Sequence, residues 1–190
     1  MRTLPHGVET DFKNKIQIGT KIHSFRLGSR WQPGTKIHFY DTSPRAGGER
    51  FNINPVGYPR VIRYYVYDNT LESYENFTLY GNAVMSGEEA HSVAVPIVMA
   101  VEEFCIAFHV NQWYEDSLDF LSIGGRLIYD LDELYDVCNS DGLSIKDFRQ
   151  YFYDVWRQEG QKPLKGQIIH WTDKLYTPGE AKKLTLAENG

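Results

Sequence analysis

The stretch "VAVPIVMAVEEFCIAFHV", residues 93–110, is the most apolar run in the chain. Its valines and isoleucines are stiff at χ1 and suit a pleated surface better than a helix. The run therefore predicts one or two buried strands. Pro96 has no amide N–H to give to a ladder, so it belongs near a strand end or a bulge.

The rest of the chain is read around that run. Residues 8–18 predict a short helix with Phe12 and Ile16 on one face and Gly19 as its C-cap. "KIHSFR" looks extended, Pro33-Gly34 marks a turn, and residues 35–40 predict a strand. Residues 41–59 hold three Gly and three Pro and read as a loop. "RVIRYYVY" (60–67) and "NFTLYGNAV" (76–84) read as strands, with a polar connection at 86–92. "DFLSIGGRLIY" reads as a hairpin about Gly124-Gly125. Asp130 with Glu133 three residues on, and Ser144 with Asp147 three residues on, mark two helix starts. The first helix ends near Asp141-Gly142. Ile145, Phe148, Phe152, Val155 and Trp156 give the second an apolar face. "EGQKPLKG" reads as a loop, "QIIHWTDKLY" (167–176) as a final strand, and residues 177–190 as a tail. This order has no βαβ rhythm, so an α+β domain on a curved sheet or small barrel fits best. The 190 residues suit one domain, 1–176, plus the tail.

Several classes are disfavoured. No window approaches eighteen apolar residues, so no membrane span is expected. The N-terminal residues lack the apolar core of a signal peptide. Cys105 and Cys138 have no metal-type spacing and read as reduced, buried thiols of a cytoplasmic protein. The six histidines show neither HxxxH nor HxH spacing, so no metal is expected, nor any other cofactor. A net charge of −5 argues against broad duplex binding but leaves room for a local basic pocket.

Charge is segregated. Between Phe12 and Tyr40 stand Lys13, Lys15, Lys21, Arg26, Arg30 and Lys36, with no acid. Residues 102–154 hold twelve acids against three bases. The basic segment is expected to floor a cleft that the acidic helical segment closes. Along a regular strand Lys21, His23 and Phe25 point one way and Ile22, Ser24 and Arg26 the other. A bend at Gly19-Thr20 would bring the Lys21 amine to the Ser24 hydroxyl, where a desolvated lysine acts as base to a nucleophile. The same residues also read as solvated charges on an edge strand. Asp141 reads either as a carboxylate serving the lysine or as a turn residue before glycine. Trp31, Tyr40, Trp171 and Tyr176 read as platforms for a base or as packing.

"GTKIHSFRLGSRWQPGTKIHFY", "NSDGLSIKDFRQYFYDVW" and "GQIIHWTDKLY" together resemble the ASCH family of PUA-like proteins. The likeness is to a phage-associated and bacterial branch with a G-x-K-x-H-[ST]-[IF]-R segment followed by RW-x-x-G. That branch also has an [ND]-D-G-[FL] turn, an aromatic-rich helix and an I-I-H-W-T-D strand. The likeness covers about 12–40 and 124–176, and leaves 41–122 as an elaboration and a candidate surface for a protein partner. It implies a PUA-like β-barrel with flanking helices and a cleft. Some small members remove an acetyl group from the exocyclic amine of acetylated cytidine, and others are linked to RNA binding or cleavage. In the amidohydrolases a lysine, a threonine three positions on and a helical-segment glutamate act. Here Lys21, Ser24 and Asp141 stand in those places, with Arg26 at the family arginine. Serine keeps the hydroxyl without the methyl, and aspartate is one methylene shorter. The expected function is therefore binding of RNA or a modified nucleoside, extending to hydrolysis of an amide on it. His23, Arg26, Trp31, Lys36 and Trp171 are the expected substrate contacts. A non-catalytic binding module and an accessory protein of a mobile element are the alternatives.

Overall fold

The computed structural model describes residues 11–53, 58–62, 64–66, 94–109, 120–177 and 182–183. The predicted strand at 76–84 and the connection at 86–92 lie outside them.

The architecture is α+β. Five antiparallel strands lie in the order β1-β9-β6-β7-β8: β1 (His23–Leu27), β9 (Leu164–His170), β6 (Ala100–Ala107), β7 (Phe120–Ile123) and β8 (Arg126–Leu127). The short β10 (Lys182–Lys183) also pairs with β6. Two further pairs stand apart, β2 (Phe39–Tyr40) with β3 (Arg50–Phe51) and β4 (Tyr64–Val66) with β5 (Ala94–Pro96). Among the described residues these sheets do not close into a barrel. The helices are α1 (Phe12–Gln17), α2 (Leu131–Ser140) and α3 (Ile145–Gln158). No described helix is long and apolar enough to cross a membrane.

The apolar run does what its composition requires. It divides at Pro96, which ends β5, and its second half becomes β6, the middle of the sheet. Residues 41–122 are thus more than an elaboration, since they supply the central strand. Alternation along β6 and β9 faces two cores. Phe104, Ile106 and Ile168 join Phe25 beneath α2 and α3, with Phe148, Phe152 and Trp156. Val101 and Ile169 face the other way, toward Ile16, Ile37, Phe39, Phe51 and Trp171.

Several boundaries differ from the predicted ones. The first helix begins at Phe12 because the Asp11 carboxylate caps it, accepting from Asn14 N–H. In 35–40 only Phe39 and Tyr40 join a ladder, while Lys36 makes a single bridge to Ile97. The 41–59 loop turns through a 3-10 segment, Pro44–Ala46, and returns as β3. The last long strand starts at Leu164 and stops at His170, not Tyr176. It stops because a buried carboxylate redirects the chain. Glu102, on β6, accepts the backbone N–H of Tyr176 at 3.0 Å and of Thr177 at 2.6 Å. Its Oε2 lies 2.7 Å from His170 Nε2. Thr177 is therefore buried against the sheet instead of opening a tail, and β10 follows it.

His23 packs beside this clamp. It is fully buried, with its ring 5.3 Å from that of His170 and its Nε2 3.2 Å from Val137 O. Burial, then the neighbouring His170, Lys21 and Lys174, hold its pKa well below the ordinary histidine value. Below pH 6.5 the unfolded chain therefore takes up a proton that the folded chain refuses, and stability falls. For one such group the slope approaches about 1.4 kcal/mol per pH unit. The opposing Asp141 carboxyl has a raised pKa and binds its extra proton above 3.8, while Glu102 loses its contribution below 4.5. Urea unfolding between pH 7.5 and 5.5 should show the loss, and His23→Gln should flatten it. An unchanged slope in the variant would place the titration elsewhere.

Candidate functional site

The strand β1 is the edge of the five-stranded sheet. Trp171 N–H bonds Ile22 O at 3.5 Å and Gly28 N–H bonds Lys165 O at 3.2 Å, so the even-numbered backbone groups serve β9. The odd-numbered groups face outward, and an exposed row of that kind invites unwanted pairing. The C-terminus of α2 covers it. Ile22 N–H, at the start of that edge, donates to Ser140 O at 2.9 Å. Phe25 N–H points at Asp141 Oδ1, 3.4 Å away. The Lys21 ammonium donates to His23 O at 3.0 Å, to Asp141 Oδ1 at 2.9 Å and to Asp141 O. All three of its N–H bonds are used.

Local sequence explains why Asp141 arrives there. It is the C-cap of α2, and Gly142 follows in the left-handed region at φ +84°. Leu143 N–H returns to Cys138 O and Gly142 N–H to Asn139 O, which closes the helix. A Cβ on Gly142 would lie 3.0 Å from Lys21 Cδ and 3.1 Å from the Phe12 ring. Glycine is thus needed for its backbone and for the lysine stem that crosses it. The helix α1 lies over the pair. Phe12 presents its ring 4.8 Å from Lys21 Nζ, Trp171 does so at 6.0 Å, and Lys15 Nζ bonds Gly142 O at 2.7 Å.

Lys21 is 6% and Asp141 7% exposed. Burial pushes the lysine pKa down and the aspartate pKa up, and their mutual attraction opposes both displacements. Arg26 and Lys15 add to the pressure on Lys21. Arg26 is half-buried, its Nε is hidden without an acceptor among the described residues, and burial lowers its pKa. Asp141 and Tyr151 oppose that shift, and Arg30 adds to it.

The predicted residues divide. Lys21 and Asp141 meet. Ser24 does not join them: it pairs across the ladder with Ile169, on the opposite sheet face, and its hydroxyl bonds neither side chain. The bend that would have carried Lys21 to Ser24 is not made, because regular alternation keeps Lys21 with His23. Arg26 shares the Ser24 face, paired with Gln167, and its charge acts on Asp141. Trp31 is half-buried near them, its backbone held by the Gln167 amide: N–H to Oε1 at 2.8 Å and O from Nε2 at 3.3 Å. Two expected contacts are corrected. Trp171 is 1% exposed and packs on Phe39, so it is core. His23 is enclosed beneath the helices. Lys36 is half-buried, and its backbone bridges Ile97. Sequence reasoning missed the Glu102–His170 clamp. Its signal was a lone acid pair inside the most apolar run, where an unpaired carboxylate is costly. Among the described residues no group of three or more His, Cys, Asp or Glu is arranged to hold a metal ion.

A scan against protein-family models finds no match for the chain, and searches of curated proteins and of solved structures find none.

A buried pair of this kind is costly to break and cheaper to replace whole. Asp141→Leu, which strands the ammonium, should cost about 3–5 kcal/mol in urea unfolding. The double variant Lys21→Met/Asp141→Leu should regain part of that loss. Purely additive effects would mean that the two groups are not coupled.

Proposed function

We propose that the chain is an ASCH-type protein with a PUA-like core that binds RNA or a modified nucleoside at the face of β1 that carries Ser24 and Arg26. The carrying observation is the charge there. Lys15 and Arg26 act electrostatically on Lys21, Arg30 acts on Arg26, and Asp141 is the carboxylate that acts on both Lys21 and Arg26. In a chain of net charge −5, such a local excess of cations attracts an anionic ligand without holding duplex at large. Trp31, with Arg30 lying 5.7 Å over its ring, supplies an aromatic surface of the kind on which bases stack. The barrel is the finer part of this reading, with the five-stranded sheet as its wall.

Binding is favoured over hydrolysis by the use of Lys21. A general base needs a free lone pair within reach of the proton it takes. Lys21 spends all three donors on His23 and Asp141, and Ser24 lies on the other face. The second reading, an amidohydrolase acting on an acylated nucleoside, draws on the dry lysine–carboxylate pair with its opposed pKa displacements. In that reading Lys21, as the neutral amine, turns to take the Ser24 proton while Ser24 attacks the acyl carbonyl. The proton passes to the leaving nucleoside amine as the amide C–N bond breaks, and water then hydrolyses the acyl-serine. Asp141 orients the lysine and Arg26 steadies the oxyanion.

Fluorescence anisotropy with a short single-stranded RNA tests the first reading. Affinity should fall with salt, and Arg26→Ala should weaken it roughly tenfold or more while lowering the salt slope by about one. Ser24→Ala should weaken binding far less than Arg26→Ala does. Turnover of acetylated cytidine that is lost in Ser24→Ala would decide for the hydrolase. RNA affinity that is undetectable at low salt would overturn the binding reading.

A further inference from the structure

The two faces of β1 separate structure from recognition. On the helix side Lys21 is consumed by its own protein. On the other side stand Ser24 and Arg26, register partners of Ile169 and Gln167. Gln167 is buried, and its amide holds the Trp31 backbone at both ends, which fixes the turn that carries Arg30. The guanidinium of Arg30 lies over Trp31 and bears on Arg26. Two guanidiniums are thus held in each other's field, one of them half-buried, and the nearby carboxylate is already engaged by Lys21.

That arrangement has a sign and a magnitude. Among the charges that act on Lys21 and Arg26, the cations Lys15, Lys21, Arg26 and Arg30 outnumber the carboxylate of Asp141. A carboxylate ligand offsets one of them. A phosphate monoester, at about −1.5 to −2, offsets more, and its oxygens match the forked donors of arginine. Ser24 adds a hydroxyl that is bonded to neither Lys21 nor Asp141. Glu103 closes the patch on one side. It occupies the same cross-strand row, beyond Gln167, roughly 10 Å from Arg26 by strand spacing.

Resting on the binding reading above, we infer that this face takes the phosphate of a nucleotide. Arg26 and Arg30 are the cationic contacts, Ser24 donates its hydroxyl, and Trp31 flanks the base. Lys21 and Asp141 do not touch the ligand: they position β1 and hold Arg26 in its field. The ligand is therefore a nucleotide in preference to a nucleoside.

Calorimetry with cytidine, cytidine 5′-monophosphate, the dinucleoside monophosphate CpC and inorganic phosphate tests this. The monophosphate should bind at least tenfold tighter than cytidine, and inorganic phosphate should compete with it. If CpC binds like the monophosphate, the site reads a backbone diester; if it binds like cytidine, a terminal monoester; both keep the inference. Arg26→Gln should remove the preference for phosphate. Arg30→Gln, at an exposed position, should reduce it with the fold intact, and so covers the case in which Arg26→Gln does not fold. Equal affinity for cytidine and its monophosphate, or a preference that survives in both arginine variants, would overturn the inference and leave the binding reading standing. Loss of all binding, RNA included, would overturn both.

Discussion

The contact between Lys21 and Asp141 ties the edge of the sheet to the end of α2, across 120 positions of chain. Removing an ammonium and a carboxylate from water costs several kcal/mol per ion. The cost is offset because hardly a bonding position is wasted. The ammonium finds three acceptors, and Asp141 Oδ1 receives both Lys21 and the outward N–H of Phe25. The pair thereby satisfies backbone groups that an edge strand otherwise exposes. It also fixes where α2 stops relative to β1, since only one register of helix against strand brings Asp141 to Lys21. The helix-side core depends on that register: Phe25 packs against Phe148 and Phe152 of α3, which follows α2 after a short turn.

What could be read from the sequence was local. The caps at Asp130 and Ser144 accept from Glu133 and Asp147 N–H, as their three-residue spacing requires. Gly124 and Gly125 both take positive φ, which is what a tight hairpin turn demands. The opposed directions of Lys21 and Ser24 followed from strand periodicity alone, and the structure keeps them. The Lys21–Asp141 contact was not local: the residues left Asp141 open between serving the lysine and making a turn, and a family resemblance singled it out. The Glu102 clamp was half legible: the acid stood out in its apolar run, but nothing in the chain named His170, Tyr176 and Thr177 as its partners. The two-residue ladders of β2, β3 and β10 carry too few residues for any period to show, so tertiary contacts alone decide them.

Charge gives the remaining constraint. The acids of residues 102–154 were expected to close over the basic segment as a body. Among the described residues five of them are engaged elsewhere. Glu102 serves His170 and the turn at Tyr176, Glu133 pairs with Arg126, and Asp136 pairs with Lys174. Asp130 and Asp147 sit at helix N-termini, where a carboxylate meets unsatisfied N–H groups. Among the described acids of this segment Asp141 is the one that bonds β1, and Lys21 holds it there. The acidity of the chain as a whole therefore says little about this edge. A field falls off within about 10 Å in ordinary salt, so the nearby arginines outweigh carboxylates paired elsewhere. A chain of net negative charge can in this way present a positive face, and the sign of what docks there is set by which carboxylates are already occupied.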